Sequence, residues 1–291
     1  MKFITTILLL FTLSLSAQIK GIVKDSLTNN PISFVNIWVL NENTGFTSEE
    51  DGTFTINSQE VNKQLIFSAL GYEKKTVLIK NNSVEVNLKP TNYQLDEVVI
   101  FKTLGTKSIE IGKTTNATYQ AFDNGPKIDT KHFPYLPKYK KTKYLKKVSV
   151  FTDNSIENAS FKIHFYNVDS NGFPGSEFLN KDFIVSVKKG VAKNIFDISK
   201  FKLKMPQNGL FVGFEKLLIE KNKLEKTVFD ANSSTTKTKI NYFPLLLYNQ
   251  VEREFLYSYS GGKWVKMSKR DTNNEEKVKF NEPAITLILT N

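Results

Sequence analysis

Short apolar or alternating blocks, each closed by Gly, Pro, Asn or Asp, run through residues 20–101. They begin KGIVKD, continue PISFVNIWV, GFTSEEDGTF and LIFSALGY, and close LDEVVIF. Runs of this length bounded by turn formers predict the strands of a small antiparallel sandwich. No long segment anywhere in the chain carries a 3.6-residue period, so the fold class predicted is all-β. None of these blocks holds a catalytic constellation, which points toward a binding or assembly module.

Within SFVNIWVL, Phe34, Asn36, Trp38 and Leu40 share one face and Ser33, Val35, Ile37 and Val39 the other. Both faces are largely apolar, as expected of a central strand. Glu50, Asp51 and Gly52 between TGFT and TFTI read as a hairpin connection, with Gly supplying positive φ. The acidic run Glu49–Asp51 lacks the ladder of oxygen ligands that a calcium loop needs.

The order and spacing of these blocks resemble the carboxypeptidase-regulatory-like domain, a transthyretin-like (prealbumin-like) β-sandwich. The positions carrying the resemblance are Gly21, Val23, Asp25, Pro31, Phe34, Val35, Asn36 and Ile37, then Gly45, Asp51, Gly52, Phe54, Gly71 and Tyr72. The closing LDEVVI resembles the segment that follows this domain in many outer-membrane proteins of Bacteroidota-type bacteria. The resemblance implies a fold for residues 18–101 and is nearly silent on activity. The domain accompanies some zinc carboxypeptidases without being the peptidase.

Residues 102–145 read as a connecting segment, with KSIEIGK and NATYQAF as edge strands leading into a second domain. Residues 146–291 read as a second sandwich. In SFKIHFYNV, Phe161, Ile163 and Phe165 alternate with Lys162, His164 and Tyr166, one buried face and one outward. Asn171–Gly172 marks a turn. FIVSVK, NIFDI, LFVGF, LLIE, PLLLY, EFLYSYS and ITLILT follow at strand-like intervals. The rhythm resembles jelly-roll domains of exported bacterial adhesins and carbohydrate-binding proteins.

The chain of 291 residues carries a net charge of +11 and no cysteine. Disulfides, thiolate metal sites and a lipid anchor on cysteine are thereby excluded. The positive charge favours acidic partners, although abundant Lys also serves solubility. Lys2, the apolar stretch from Ile7 to Leu15, and Ser14, Ser16 and Ala17 read as an export signal over residues 1–17, cleaved before Gln18.

A zinc peptidase needs paired His with a carboxylate at fixed spacing. The chain has two His; no HxxE follows His132, and His164 is expected at the surface. GxSxG and phosphate-binding glycine loops are missing from the sequence. Lys138–Lys147 interleaves lysines with Tyr139 and Tyr144. Lys140, Lys141, Lys143 and Lys146 are candidates to grip an acidic polymer; the competing reading is an edge strand guarded by charge. Tyr257, Tyr259 and Trp264 are candidate sugar-stacking platforms, or else core. Asp169, Asn171, Glu177 and Asp182 cluster in sequence around a turn and could hold a structural Ca²⁺, or form an ordinary polar loop.

The expectation is an exported, non-catalytic protein of the cell envelope, periplasmic or outer-membrane-associated, that binds a glycan, an acidic envelope polymer or another envelope partner. The alternative is a protein–protein component of an outer-membrane uptake or secretion complex. No cofactor and no nucleic acid are expected.

Overall fold

The computed structural model describes residues 18–91, 105–114, 119–123, 125–230, 235–252, 255–268 and 279–291. The export-signal reading at 1–17 and the LDEVVIF segment at 95–101 lie outside the described residues. Seven strands make the first unit: β1 (Gln18–Asp25), β2 (Asn36–Val39), β3 (Gly45–Thr47), β4 (Thr53–Asn57), β5 (Gln64–Ser68), β6 (Lys75–Leu78) and β7 (Ser83–Leu88). They form two sheets, ordered β4-β1-β7 and β3-β2-β5-β6. Alternation does the sorting. Phe54 and Ile56 on β4, and Leu65 and Phe67 on β5, point inward and are almost fully buried with Val35, Ile37 and Val39. Each such side chain contributes about 1.5–3 kcal/mol on leaving water.

Two details differ from the sequence reading. The β1–β7 ladder is parallel rather than antiparallel. The expected hairpin at Glu50–Gly52 is a corner: β3 pairs with β2 and β4 with β1, so the turn carries the chain from one sheet to the other. Gly52 does supply the positive φ, at +77°. Its missing Cβ also leaves room for Pro31 and the Val23 carbonyl, each only 2.9 Å from where that atom would lie.

The second unit contains β8 (Ser108–Ile111), β9 (Tyr119–Phe122), β10 (Ile128–Phe133), β11 (Tyr144–Asn154), β12 (Ala159–Val168), β13 (Pro174–Glu177), β14 (Phe183–Val187), β15 (Gly190–Asp197), β16 (Leu210–Lys216), β17 (Lys223–Asp230), β18 (Thr235–Tyr242), β19 (Leu245–Glu252), β20 (Phe255–Ser260), β21 (Lys263–Ser268), β22 (Lys279–Pro283) and β23 (Ile285–Thr290). One sheet runs β13-β12-β16-β10-β20-β21, with β14 also on β12. The other runs β22-β19-β11-β23-β8, with β15 on β11 and β9 on β19; β17 and β18 form a separate two-stranded ribbon. Phe161, Ile163, Phe165 and Phe214 from the first sheet share one core with Val148, Val150, Leu246 and Leu287 from the second.

The LLIE segment is not a strand. Leu217 and Ile219 are buried as the chain leaves β16 and enters a short 3-10 turn, Glu220–Asn222. Asn222 holds that turn: its Oδ1 accepts from Ser160 N at 2.8 Å, and its Nδ2 donates to the Ser160 and Leu217 carbonyls at 2.7 and 2.9 Å. The lysine-rich run is not an edge strand either. Pro137–Lys141 is a 3-10 turn, and β11 is flanked by β15 on one side and by β23 and β19 on the other. With no open edge there, the edge-guarding role fails for these lysines.

The larger correction concerns the outer face of β12. Lys162, His164 and Tyr166 are as buried as the core face opposite. Tyr166 packs with Phe211, Tyr257 and Trp264 of its own unit and His164 is closed in by Glu177 and Glu215, while the first sandwich reaches this face at Lys162 and Glu215. Asn36 donates to Glu215 across the junction at 3.1 Å, Leu218 N to Thr47 Oγ1 at 3.2 Å, and Glu220 N to Glu49 Oε1 at 2.9 Å. The outward apolar face of β2 is used in the same way. Trp38 packs with Ile128 and Tyr259 of the second sandwich rather than with its own core.

Candidate functional site

A cleft of about 250 Å³ opens at this junction. Tyr72 and Lys74 of the first sandwich line one wall, and Tyr166, Tyr259 and Trp264 line the other. Its polar lining is Asn36, Lys162, His164, Glu177 and Asp182. Strand period places them: Lys162, His164 and Tyr166 alternate on β12, while Glu215 reaches them from the neighbouring β16.

The network is closely bonded. His164 Nδ1 lies 3.0 Å from Glu177 Oε2, and Nε2 lies 2.7 Å from Glu215 Oε2. Lys162 Nζ lies 2.9 Å from Asp182 Oδ2 and 3.9 Å from Glu215 Oε1. Burial alone would strip the proton from His164, but the two carboxylates outweigh it and raise its pKa to about 10. The imidazole is therefore cationic at neutral pH and donates from both nitrogens. Burial opposes the charge on Glu215 too, yet Lys162 and His164 hold its pKa down to about 2. Burial is the largest single influence on Lys162 and pushes its pKa down, but Glu215 and Asp182 together outweigh it and hold the pKa above its ordinary value.

Among the described residues, one carboxylate oxygen of this lining, Asp182 Oδ1, is buried without a hydrogen-bond donor. A buried acceptor left open costs free energy, so this wall of the cleft is suited to a ligand that brings O–H or N–H donors. Aromatic edges flank it. Trp264 stands nearly perpendicular to Tyr166 and to Tyr259, both at 5.2 Å between centroids. Lys74 Nζ donates to Tyr259 Oη at 3.1 Å and lies 5.1 Å from the ring centre.

The residues singled out in the sequence separate into different places. Tyr259 and Trp264 line the cleft. Tyr257 is buried against Phe173 and Phe211 instead, so it offers no platform. Asp169 is spent inside its own turn, accepting from the Asn171 and Phe173 amides at 2.8 Å each. Asn171 is exposed there, whereas Glu177 and Asp182 face His164 and Lys162. The four do not converge as calcium ligands; the strands direct two of them to cationic partners. Lys140, Lys141 and Lys143 are exposed on another part of the surface, and Lys146 lines a separate cleft. His132 packs against Phe211, 4.7 Å away. Sequence reasoning missed Lys162, His164 and Glu215, because charged residues alternating with apolar ones look the same whether water or protein covers them.

The positions shared with the resembling family do structural work. Asp25 Oδ1 accepts from the Leu27 and Thr28 amides at 2.7 and 3.0 Å, while its Oδ2 accepts from Tyr72 Oη at 3.0 Å. Gly21 lies beneath Phe54, where an added Cβ would come within 2.3 Å of the ring. The family model of the CarboxypepD_reg-like domain matches residues 19–100. Within the matched residues, Gly21, Asp25 and Tyr72 fix the sandwich, and β2's second face packs on the other unit. Among solved structures, the chain is similar to a protein of Bacteroides uniformis ATCC 8492 provisionally described as carbohydrate binding. Identity is 10%, with 80% of this chain and 99% of that one covered, at a TM-score of 0.22. It is also similar to a DUF3823 family protein of Bacteroides ovatus ATCC 8483, at 10% identity over 87% of this chain and 98% of that one, with a TM-score of 0.20. No curated protein matches the chain.

Proposed function

We propose that this is an exported, non-catalytic cell-envelope protein that binds a glycan unit in the cleft between its two sandwiches. The observation that carries the reading is the placement of Asp182 Oδ1, buried and without a donor, in the same cleft as Trp264 and Tyr259. A sugar ring supplies both complements: hydroxyl donors for the carboxylate and an apolar C–H face for the aromatic rings. The buried ions serve as a fixed polar floor. His164 and Lys162 are saturated by carboxylates and hold them in place, an arrangement that suits recognition rather than proton transfer. The β-sandwich fold and the CarboxypepD_reg-like match are compatible with a binding role.

Tryptophan emission provides the test, because both tryptophans, Trp38 and Trp264, belong to the aromatic cluster at the junction. Titration with a panel of mono- and oligosaccharides is expected to shift the emission at least for one sugar class. Trp264→Ala and Asp182→Asn should each weaken that binding by about tenfold or more, equivalent to about 1.4 kcal/mol. If no sugar titrates at millimolar concentration, or if both variants bind as the parent does, the reading fails. Assembly beside an outer-membrane component then becomes the better account.

A further inference from the structure

A second cleft, of about 270 Å³, lies away from the junction and is lined by Tyr144, Lys146, Ser199, Lys202 and Thr290 among others. Two distant lysine-rich segments build it. Leu145 N donates to Leu203 O at 2.9 Å, Met205 N to Lys143 O at 2.8 Å and Ile198 N to Lys146 O at 2.9 Å, which lays residues 143–146 beside residues 198–205. Tyr144 and Lys204 form a bridge pair. The lysines of KTKYLKK and SKFKLK thus become one surface, although more than fifty positions separate them in sequence.

The surface carries an excess of positive charge, offset in part by Asp197, whose carboxyl is held below its ordinary range by Ser199 first and by Lys147 and Lys146 as well. Among the described residues, Lys143, Lys146, Lys200 and Lys202 make no ion pair with a carboxylate. The nearby Asp197 accepts from Ser199 N at 2.8 Å. Aromatic faces order several of the ammonium groups. Lys143 and Lys204 stand 5.5 and 5.9 Å from the Tyr144 ring, and Lys200 stands 5.0 Å from Phe201. Lys202 itself adopts the left-handed conformation, φ 51° and ψ 32°, at the end of the 3-10 turn Ser199–Phe201. Glycine would take that conformation without strain, so a lysine there is held at a cost.

We propose that this cleft binds the sulfate or phosphate ester of an acidic polysaccharide, with Lys146 and Lys202 as charge partners. A polysaccharide fits better than an anionic bilayer. Tyr144, Phe201 and Phe183 are half-buried, each with a lysine nitrogen 5.0–5.9 Å from its ring centre, so none projects as an apolar anchor for insertion. The site is independent of the junction cleft.

The test compares retention of the full chain on dextran sulfate with retention on neutral dextran, across a salt series. Lys146→Gln/Lys202→Gln is expected to weaken binding more than about tenfold, with a shallower salt dependence. Lys140→Gln/Lys141→Gln removes the same charge from exposed positions outside the cleft and should cost no more than about threefold. Equal losses from the two pairs would reduce the patch to diffuse charge and overturn the site. Lys202→Gly guards against misfolding as an explanation: it should melt no lower than the parent yet bind dextran sulfate more weakly. Retention by Lys202→Gly equal to the parent's also overturns it, as does binding to phosphatidylglycerol vesicles without binding to dextran sulfate. Trp264→Ala should leave this binding intact, which separates the result from the fate of the junction site.

Discussion

The Lys162 ammonium donates to the Phe34 carbonyl oxygen at 2.7 Å, from one sandwich to the other. Phe34 has φ +53°, an uncommon conformation for a bulky residue. The contact accounts for both oddities: the left-handed turn presents a carbonyl to a lysine that would otherwise be buried with carboxylates alone. Four groups, Phe34, Asn36, Lys162 and Glu215, so join the units through charge-assisted hydrogen bonds.

Removing one member of this network should be costly. Lys162→Met leaves Asp182, Glu215 and the Phe34 carbonyl facing an apolar side chain, and is expected to cost about 3–5 kcal/mol. Combining it with Glu215→Gln should cost less than the sum of the single losses, because the two share an interaction. Urea midpoints of the parent, the singles and the double close the cycle; strict additivity would show that the ions are not coupled.

Stability should depend on pH on both sides of a plateau. Folded His164 titrates near 10 against an ordinary 6.5. Its contribution is full below pH 6.5 and is lost as pH rises through about 10. Folded Glu215 titrates near 2 against 4.5, so its contribution is full above 4.5 and is lost as pH falls through about 2. Glu110, also near 2 through Lys113, Lys193 and Thr286 despite partial burial, adds to the acid limb. Melting temperature should therefore be flattest between pH 4.5 and 6.5. His164→Gln should flatten the alkaline decline specifically; an unchanged alkaline limb would mean that His164 is not its source.

Gly21→Ala should destabilise the first sandwich by about 1–3 kcal/mol through overpacking. The added methyl would meet Phe54 Cζ at 2.3 Å and the Val84 carbonyl oxygen at 2.4 Å. Trimming Phe54 to Leu in the same background should not restore the melting temperature, since the Val84 backbone cannot retreat as a side chain can. Full rescue would place the clash in the ring alone.

Residues 18–101 should melt cooperatively when expressed alone, because Val35, Ile37, Phe54, Leu65 and Phe67 belong to their own core. Separated from its partner, Trp38 loses Ile128 and Tyr259 and should emit at longer wavelength than in the full chain. An unfolded fragment would show that the first core depends on the second.

The sandwich folds were legible because strand period and turn residues are local properties. Val35, Ile37 and Val39 alternate correctly with Trp38, and Asn171–Gly172 turns where expected, with Gly172 at φ +80°. The junction was not legible. Lys162 and His164 have the alternation of a wetted face, and only the tertiary arrangement reveals that Phe34, Asp182, Glu177 and Glu215 close over them. Half of the second cleft was visible as Lys143–Lys147; its complement at Ser199–Lys204 is joined to it by backbone hydrogen bonds that no local pattern announces. The broad apolarity of β2 was the available clue, since a strand with two apolar faces must bury both.

The pairing of β11 with β23 sets an order of events during synthesis. Val148 and Val150 are fully buried, and their strand is flanked by Leu287 and Ile285, which leave the ribosome long afterwards. The first sandwich has all its own strands available early, whereas the second must hold an apolar strand without its neighbour until β23 emerges. That interval, rather than the finished molecule, is when the protein is most exposed to aggregation. A nascent chain halted before residue 285 should accordingly resist protease over residues 18–91 while remaining cleavable around β11.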